Sequence, residues 1–149
     1  MKKTVILLLA ALMGAVSCTK FAFNEGSQVY SRDYQVKPSE WKKDTEADPP
    51  FFWVSYSNPD ITAEVAKGRG AVTGYVYLIY DTAKKLGSWN PLPYIYPYRY
   101  QDNEGYSYLP ESFRFDWEEG QVTFVIQDMD GFLPDDMTDN LLFRVTVVK

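Results

Sequence analysis

Asp128, Asp130, Asp135, Asp136 and Asp139 place five carboxylates within twelve residues near the end of the chain. Hard cations such as calcium need several oxygens at such short range. The start Asp128-Met129-Asp130-Gly131 has the spacing of a calcium loop, but the third alternate ligand and the closing bidentate Glu are missing, and Pro134 redirects the chain. The stretch reads as a solvated turn, and no metal site is assigned to it. Asp116, Glu118 and Glu119 form a second acidic group, of the kind a glycosidase uses in pairs. Two of the three stand in a hairpin turn, where solvation keeps carboxylates ionised. The chain has no histidine and one cysteine, Cys18. The usual general base and the commonest zinc ligand are therefore missing, and Ser-His-Asp and Cys-His mechanisms are excluded. No phosphate-binding glycine loop is present. Neither a catalytic residue nor a cofactor is expected, and the chain reads as a non-enzyme.

A third constellation is aromatic. Trp89, Tyr94, Tyr96, Tyr98 and Tyr100 include four tyrosines at alternate positions, stiffened by Pro91, Pro93 and Pro97. If the run is extended, the four rings share one face, and a row of flat rings is a surface on which a sugar chain stacks. The same alternation also describes the inner face of a strand, with Ile95 turned outward. Prolines disfavour a central place in a sheet, so the run is an edge candidate in either case.

Cys18 has a separate chemistry. Lys2 and Lys3 precede an apolar segment, Val5 to Val16, which ends in Ala15-Val16-Ser17-Cys18. The segment lies in the ~7 to 15 residue range of a secretory signal core, below the ~20 that a membrane-spanning helix needs. Small residues before the cysteine form a lipobox. The thiol accepts a diacylglyceryl group, residues 1–17 are removed, and Cys18 becomes the mature N-terminus. The lipidated thiol is then spent, and one cysteine allows no internal disulfide. Two or more acyl chains make a stable anchor. The expected location is the cell envelope; this start resembles that of Gram-negative lipoproteins, in which an aspartate after the cysteine implies retention at the inner membrane, so Thr19 there implies the outer membrane, with either leaflet open.

The 132 residues after position 17 fit one domain with a single core. Loss of Lys2 and Lys3 leaves 13 basic against 20 acidic side chains, a net charge of −7, so nucleic acid is an unsuited partner. Aromatic residues make up 17% of the chain, a proportion that suits sheet faces. Residues 18–27 show no sustained periodicity and read as a lipidated tether, and residues 28–149 as the folded domain. Gln28 to Val36 alternates as a first strand, and Lys37 to Pro50 has loop chemistry around Trp41, which is expected to cover one end of the core.

Phe51 to Tyr56 is a short strand. Ile61 to Lys67 fits either period, with a short helix favoured because Gly68 and Gly70 follow and Asp60 can cap it. Ala71 to Tyr80 is apolar on both faces and reads as a central strand. Trp89 begins the proline-bearing extended run, and Tyr106 to Leu109 is a fragment ended by Pro110. Phe113, Phe115 and Trp117, then Val122, Phe124 and Ile126, alternate across a turn at Glu118-Glu119-Gly120 and are expected to share one core face. Leu141 to Val147 closes the domain. Seven or eight short strands imply an all-β, two-sheet antiparallel sandwich with immunoglobulin-like connections and one short helix near 60–67.

The element Trp89-Asn90-Pro91-Leu92-Pro93-Tyr94, after the Gly70-Ala71-Val72 strand start and before Gly120-Gln121-Val122-Thr123-Phe124, resembles small exported lipoproteins of unknown function common in Bacteroidota. Phe143-Arg144-Val145-Thr146-Val147 completes the pattern, which covers about the last ninety residues. The resemblance implies an exported β-sandwich and brings no activity with it. Two functions remain from the residues: a lipid-anchored envelope protein with a structural or protein-interaction role, or a lipoprotein that holds a glycan on its aromatic face.

Overall fold

The computed structural model describes residues 26–102, 105–128, 137 and 139–149, and among these the alternating segments become nine strands. They are β1 (Val29–Val36), β2 (Lys42–Asp44), β3 (Phe51–Ser57), β4 (Ala71–Asp81), β5 (Leu86–Pro91), β6 (Tyr94–Asp102), β7 (Gly105–Glu118), β8 (Gln121–Asp128) and β9 (Leu141–Val148). A four-residue helix, α1 (Ala63–Ala66), lies between β3 and β4. One antiparallel sheet has the order β1-β9-β4-β5 and the other β2-β3-β8-β7-β6. The expected two-sheet sandwich stands, with nine strands in place of seven or eight. Its strand order differs from that of an immunoglobulin constant domain, where the first strand neighbours the second. Here the first strand pairs with the last, Val29 opposite Val148 through Val36 opposite Leu141.

Period-two patterning decides which side chains meet. Val36, Val76, Phe143, Val145 and Val147 point inward from the four-stranded sheet, and Phe52, Val54, Phe113, Val122, Phe124 and Ile126 from the five-stranded one; all are buried. Phe124 and Phe143 stack across the gap at 4.2 Å, and Tyr34 meets Phe124 edge-on at 5.5 Å and Tyr56 at 5.3 Å. β1 therefore lies over β3 and β9 over β8. Phe115 lies against Gly74, which sets β4 over β7. The sandwich accordingly has one side bounded by β1 and β2 and another by β5 and β6.

Local chemistry explains the places where strand and helix boundaries differ from expectation. Thr62, not Asp60, caps α1, its Oγ1 accepting from the Val65 N–H at 3.5 Å. Asp60 is engaged elsewhere, accepting from Arg32 at 2.6 Å. Ile61 and Val65 are buried as expected. Lys37 to Pro50 is not all loop: Pro38–Glu40 is a 3-10 turn, and β2 pairs with β3. The turn is held by Glu40, which accepts from the Lys37 N–H at 2.8 Å and the Tyr56 hydroxyl at 3.0 Å. Burial, then that hydrogen bond to Glu40, push the Tyr56 hydroxyl up to about 12. The turn sets Trp41 against Phe143 at 6.2 Å, covering the core end as expected.

Pro110 does not end its strand, because β7 runs through it opposite Pro97. Opposed prolines cannot exchange N–H···O bonds, so the two nitrogens face away from each other. Pro97 then faces the open edge, and Pro110 faces β8 one position past the last pair among the described residues, Asp128 with Glu111.

Candidate functional site

The run from Trp89 to Tyr100 reads in the sequence as one extended segment with its four tyrosines on one face, but the structure divides it between the two sheets. Trp89 belongs to β5, the edge of the four-stranded sheet, and the tyrosines to β6, the edge of the five-stranded sheet. Pro91-Leu92-Pro93 makes the crossing. Neither proline has an N–H to give to a ladder, and the Leu92 N–H donates to the Gly74 carbonyl at 2.9 Å, so pairing with β4 ends there. Trp89 therefore does not join the tyrosine row. Both halves do lie on edges, as the prolines implied.

Trp89 instead sits on the outer face of its sheet. Its ring lies 5.3 Å from that of Tyr77, its cross-strand partner, and the Arg144 guanidinium lies 4.3 Å from the Trp89 ring. Asp33 holds Arg144 with two hydrogen bonds, at 2.6 and 2.8 Å. Those bonds keep the Asp33 carboxyl below the usual range. Asp33, Arg144, Trp89 and Tyr77 thus link β1, β9, β5 and β4. The tie satisfies each charge within the sheet and leaves the face neutral. Three of these four residues carry no signal in sequence, because only the strand register brings positions 33, 77 and 144 to position 89.

Among the tyrosines, Tyr94 packs against the core opposite Phe113, with Ile95 outward. Tyr96 continues the inward register of Tyr94 but is 37% exposed. The side chains of Tyr98 and Tyr100 lie outside the described residues, as do Cys18 and Asp130, Asp135 and Asp136. On the other sheet Leu78 is the last inward side chain of β4 packed on the core. Beyond it the pairing of β4 with β5 shifts register between Ile79 and Asp81, so the alternation breaks at Tyr80, and Tyr80 and Leu86 are 67% and 44% exposed. Tyr80, Leu86 and Tyr96 thus lie beyond the last core-packed residues of their strands.

The carboxylates near the other hairpin do not converge. Asp116 points outward 4.0 Å from Arg114, Glu118 accepts from Gln121 at 3.2 Å, and Glu119 is exposed in the turn. Asp116, Trp117, Glu118 and Thr123 line only a shallow depression open to solvent. In comparisons with known proteins, no family model, no curated protein and no solved structure matches this chain.

Proposed function

We propose that this chain is a lipid-anchored, non-enzymatic protein of the cell envelope that acts by presenting one side of its sandwich to another envelope protein. One observation carries the reading. Of the seven large apolar side chains exposed among the described residues, five belong to the β4–β5 hairpin and β6: Ile79, Tyr80, Leu86, Ile95 and Tyr96. Scattered exposed apolar residues need no explanation, but a concentration on one side is what an interaction surface looks like. Aromatic residues are also enriched at such surfaces. The lipobox ending at Cys18 supports the anchor, and the Trp-x-Pro-Leu-Pro-Tyr resemblance supports an exported Bacteroidota lipoprotein. Tyr94, turned into the core, weakens the alternative of a continuous row of rings for a glycan.

The double substitution Ile79→Asp with Ile95→Asp, at two side chains each 55% exposed, should change stability by no more than about 0.5 kcal/mol per site. The same variant should lose the proteins that co-purify from solubilised membranes with the unsubstituted chain. Unchanged co-purification would sink the interaction reading, and retention of the unsubstituted chain on a glycan array would favour the sugar alternative. The anchor has its own measurement. Cys18→Ala should leave the chain unprocessed by the lipoprotein peptidase or release it in soluble form, and covalent lipid on that variant would refute the assignment.

A further inference from the structure

The outer face of the four-stranded sheet carries more aromatic surface than its internal ties use. Tyr75 and Tyr77 on β4 and Trp89 on β5 share that face and are each half-buried, and Ile79, next along the same side of β4, is 55% exposed. A Cβ at position 87 would stand 2.7 Å from Cζ and 2.8 Å from Cε1 of Tyr77, so the Tyr77 ring lies down across β5 where Gly87 leaves room for it. The Trp89 ring meets it at 59°, with centroids 5.3 Å apart. The two rings therefore make a corner and not a single plane.

The polar groups here are chiefly donors. The Trp89 Nε1–H and the Tyr75 and Tyr77 hydroxyls make no hydrogen bond among the described residues. Arg144, which stacks on Trp89 at 4.3 Å, gives only its Nε–H and one Nη2–H to Asp33, and its Nη1 hydrogens stay unspent. Both Asp33 oxygens are engaged by that pair, so guanidinium and carboxylate cancel and the face keeps donors without a net charge.

We propose that this face holds a proline-rich segment of the partner protein, in polyproline II conformation, laid along β4 from Ile79 to Tyr75. Such a segment has no internal hydrogen bonds and few N–H groups, so it brings carbonyl acceptors to a face that offers donors. Its proline rings are compact apolar wedges, which suit a corner between two aromatic rings. An uncharged segment also matches a face whose one ion pair is closed on itself. The lengths agree as well: the four strand steps from Tyr75 to Ile79 span ~13 Å, and four polyproline II residues at ~3.1 Å each cover the same distance. A sugar chain is the poorer occupant, because it stacks on coplanar rings and brings hydroxyl donors that need acceptors, while Asp33 is already spent on Arg144. The proline-rich occupant rests on the protein contact proposed above and gives it a chemistry, since Ile79 belongs to both.

Heteronuclear NMR on the chain from residue 18, carrying Cys18→Ser to omit the lipid and titrated with decaproline, tests it. The four indole N–H signals come from Trp41, Trp53, Trp89 and Trp117. Decaproline should move the Trp89 signal to saturation and leave the other three in place. Trp89→Phe keeps a ring and removes the donor, and should weaken binding ~10-fold, the value of one hydrogen bond, as followed through the backbone amides of Tyr75 and Tyr77. An unmoved Trp89 signal overturns the proposal, as does undiminished binding by Trp89→Phe or equal movement with a Gly-Ser decapeptide. Movement with cellohexaose but not with decaproline overturns it in favour of a glycan. An unmoved Trp89 signal beside lost co-purification in the Ile79→Asp, Ile95→Asp variant would strike the proline-rich occupant alone and leave the protein contact standing.

Discussion

Phe124→Ala is expected to lower stability by ~3 to 5 kcal/mol, the loss typical of truncating a fully buried aromatic ring. Phe124 has no exposed surface, and its ring is the point where the two sheets meet, stacked on Phe143 at 4.2 Å with Tyr34 edge-on at 5.5 Å. Removing it takes away the transfer free energy of the ring and leaves a cavity bounded by side chains of both sheets, which cannot close without moving one sheet toward the other. The neighbouring Thr123 faces outward, where its hydroxyl and that of Ser55 are 2.7 Å apart. Thr123→Ala should cost about 1 kcal/mol, the net value of one such hydrogen bond. Urea unfolding reads both changes, as shifts in midpoint at constant slope. Similar losses at positions 123 and 124 would show that the inward and outward faces of β8 had been exchanged.

That register was legible in the sequence because the alternation in Phe113 to Ile126 is long and its turn is marked by Gly120. Phe113 pairs with Ile126, Phe115 with Phe124 and Trp117 with Val122, so the six share a register as expected, but only five reach the core: Trp117, at the end of β7, is 38% exposed. The aromatic run was legible only in part. Its prolines pointed correctly to edges, but sequence alone does not say that a chain crosses from one sheet to the other between Trp89 and Tyr94. Alternation specifies faces and is silent about which sheet owns them. For the same reason the linkage of Asp33, Tyr77, Trp89 and Arg144 could not be read in advance, since it depends on the pairing of β1, β9, β4 and β5. β2 went unseen because three residues, two of them lysine, carry no periodic signal at all.

Gly74→Val should destabilise the domain by ~1 to 3 kcal/mol through overpacking, against the ordinary expectation that glycine weakens a strand. Gly74 is buried in β4, and a Cβ placed there would stand 2.6 Å from Cδ1 and Cε1 of Phe115 and 3.0 Å from its Cγ. Those atoms include the root of the ring, so rotation about the last torsion cannot clear them. Phe115 or the strand beneath it must shift. The pressure falls between β4 and β7, whose separation the core fixes elsewhere through the Phe124–Phe143 stack. A double-mutant cycle identifies the cause. Phe115→Ala alone leaves a gap over Gly74, and adding Gly74→Val fills part of that gap, so the double variant should be less destabilised than the sum of the two single changes. Strict additivity would mean that the valine is accommodated without touching the ring. The close approach of the two sheets at this point would then not be what requires glycine at position 74.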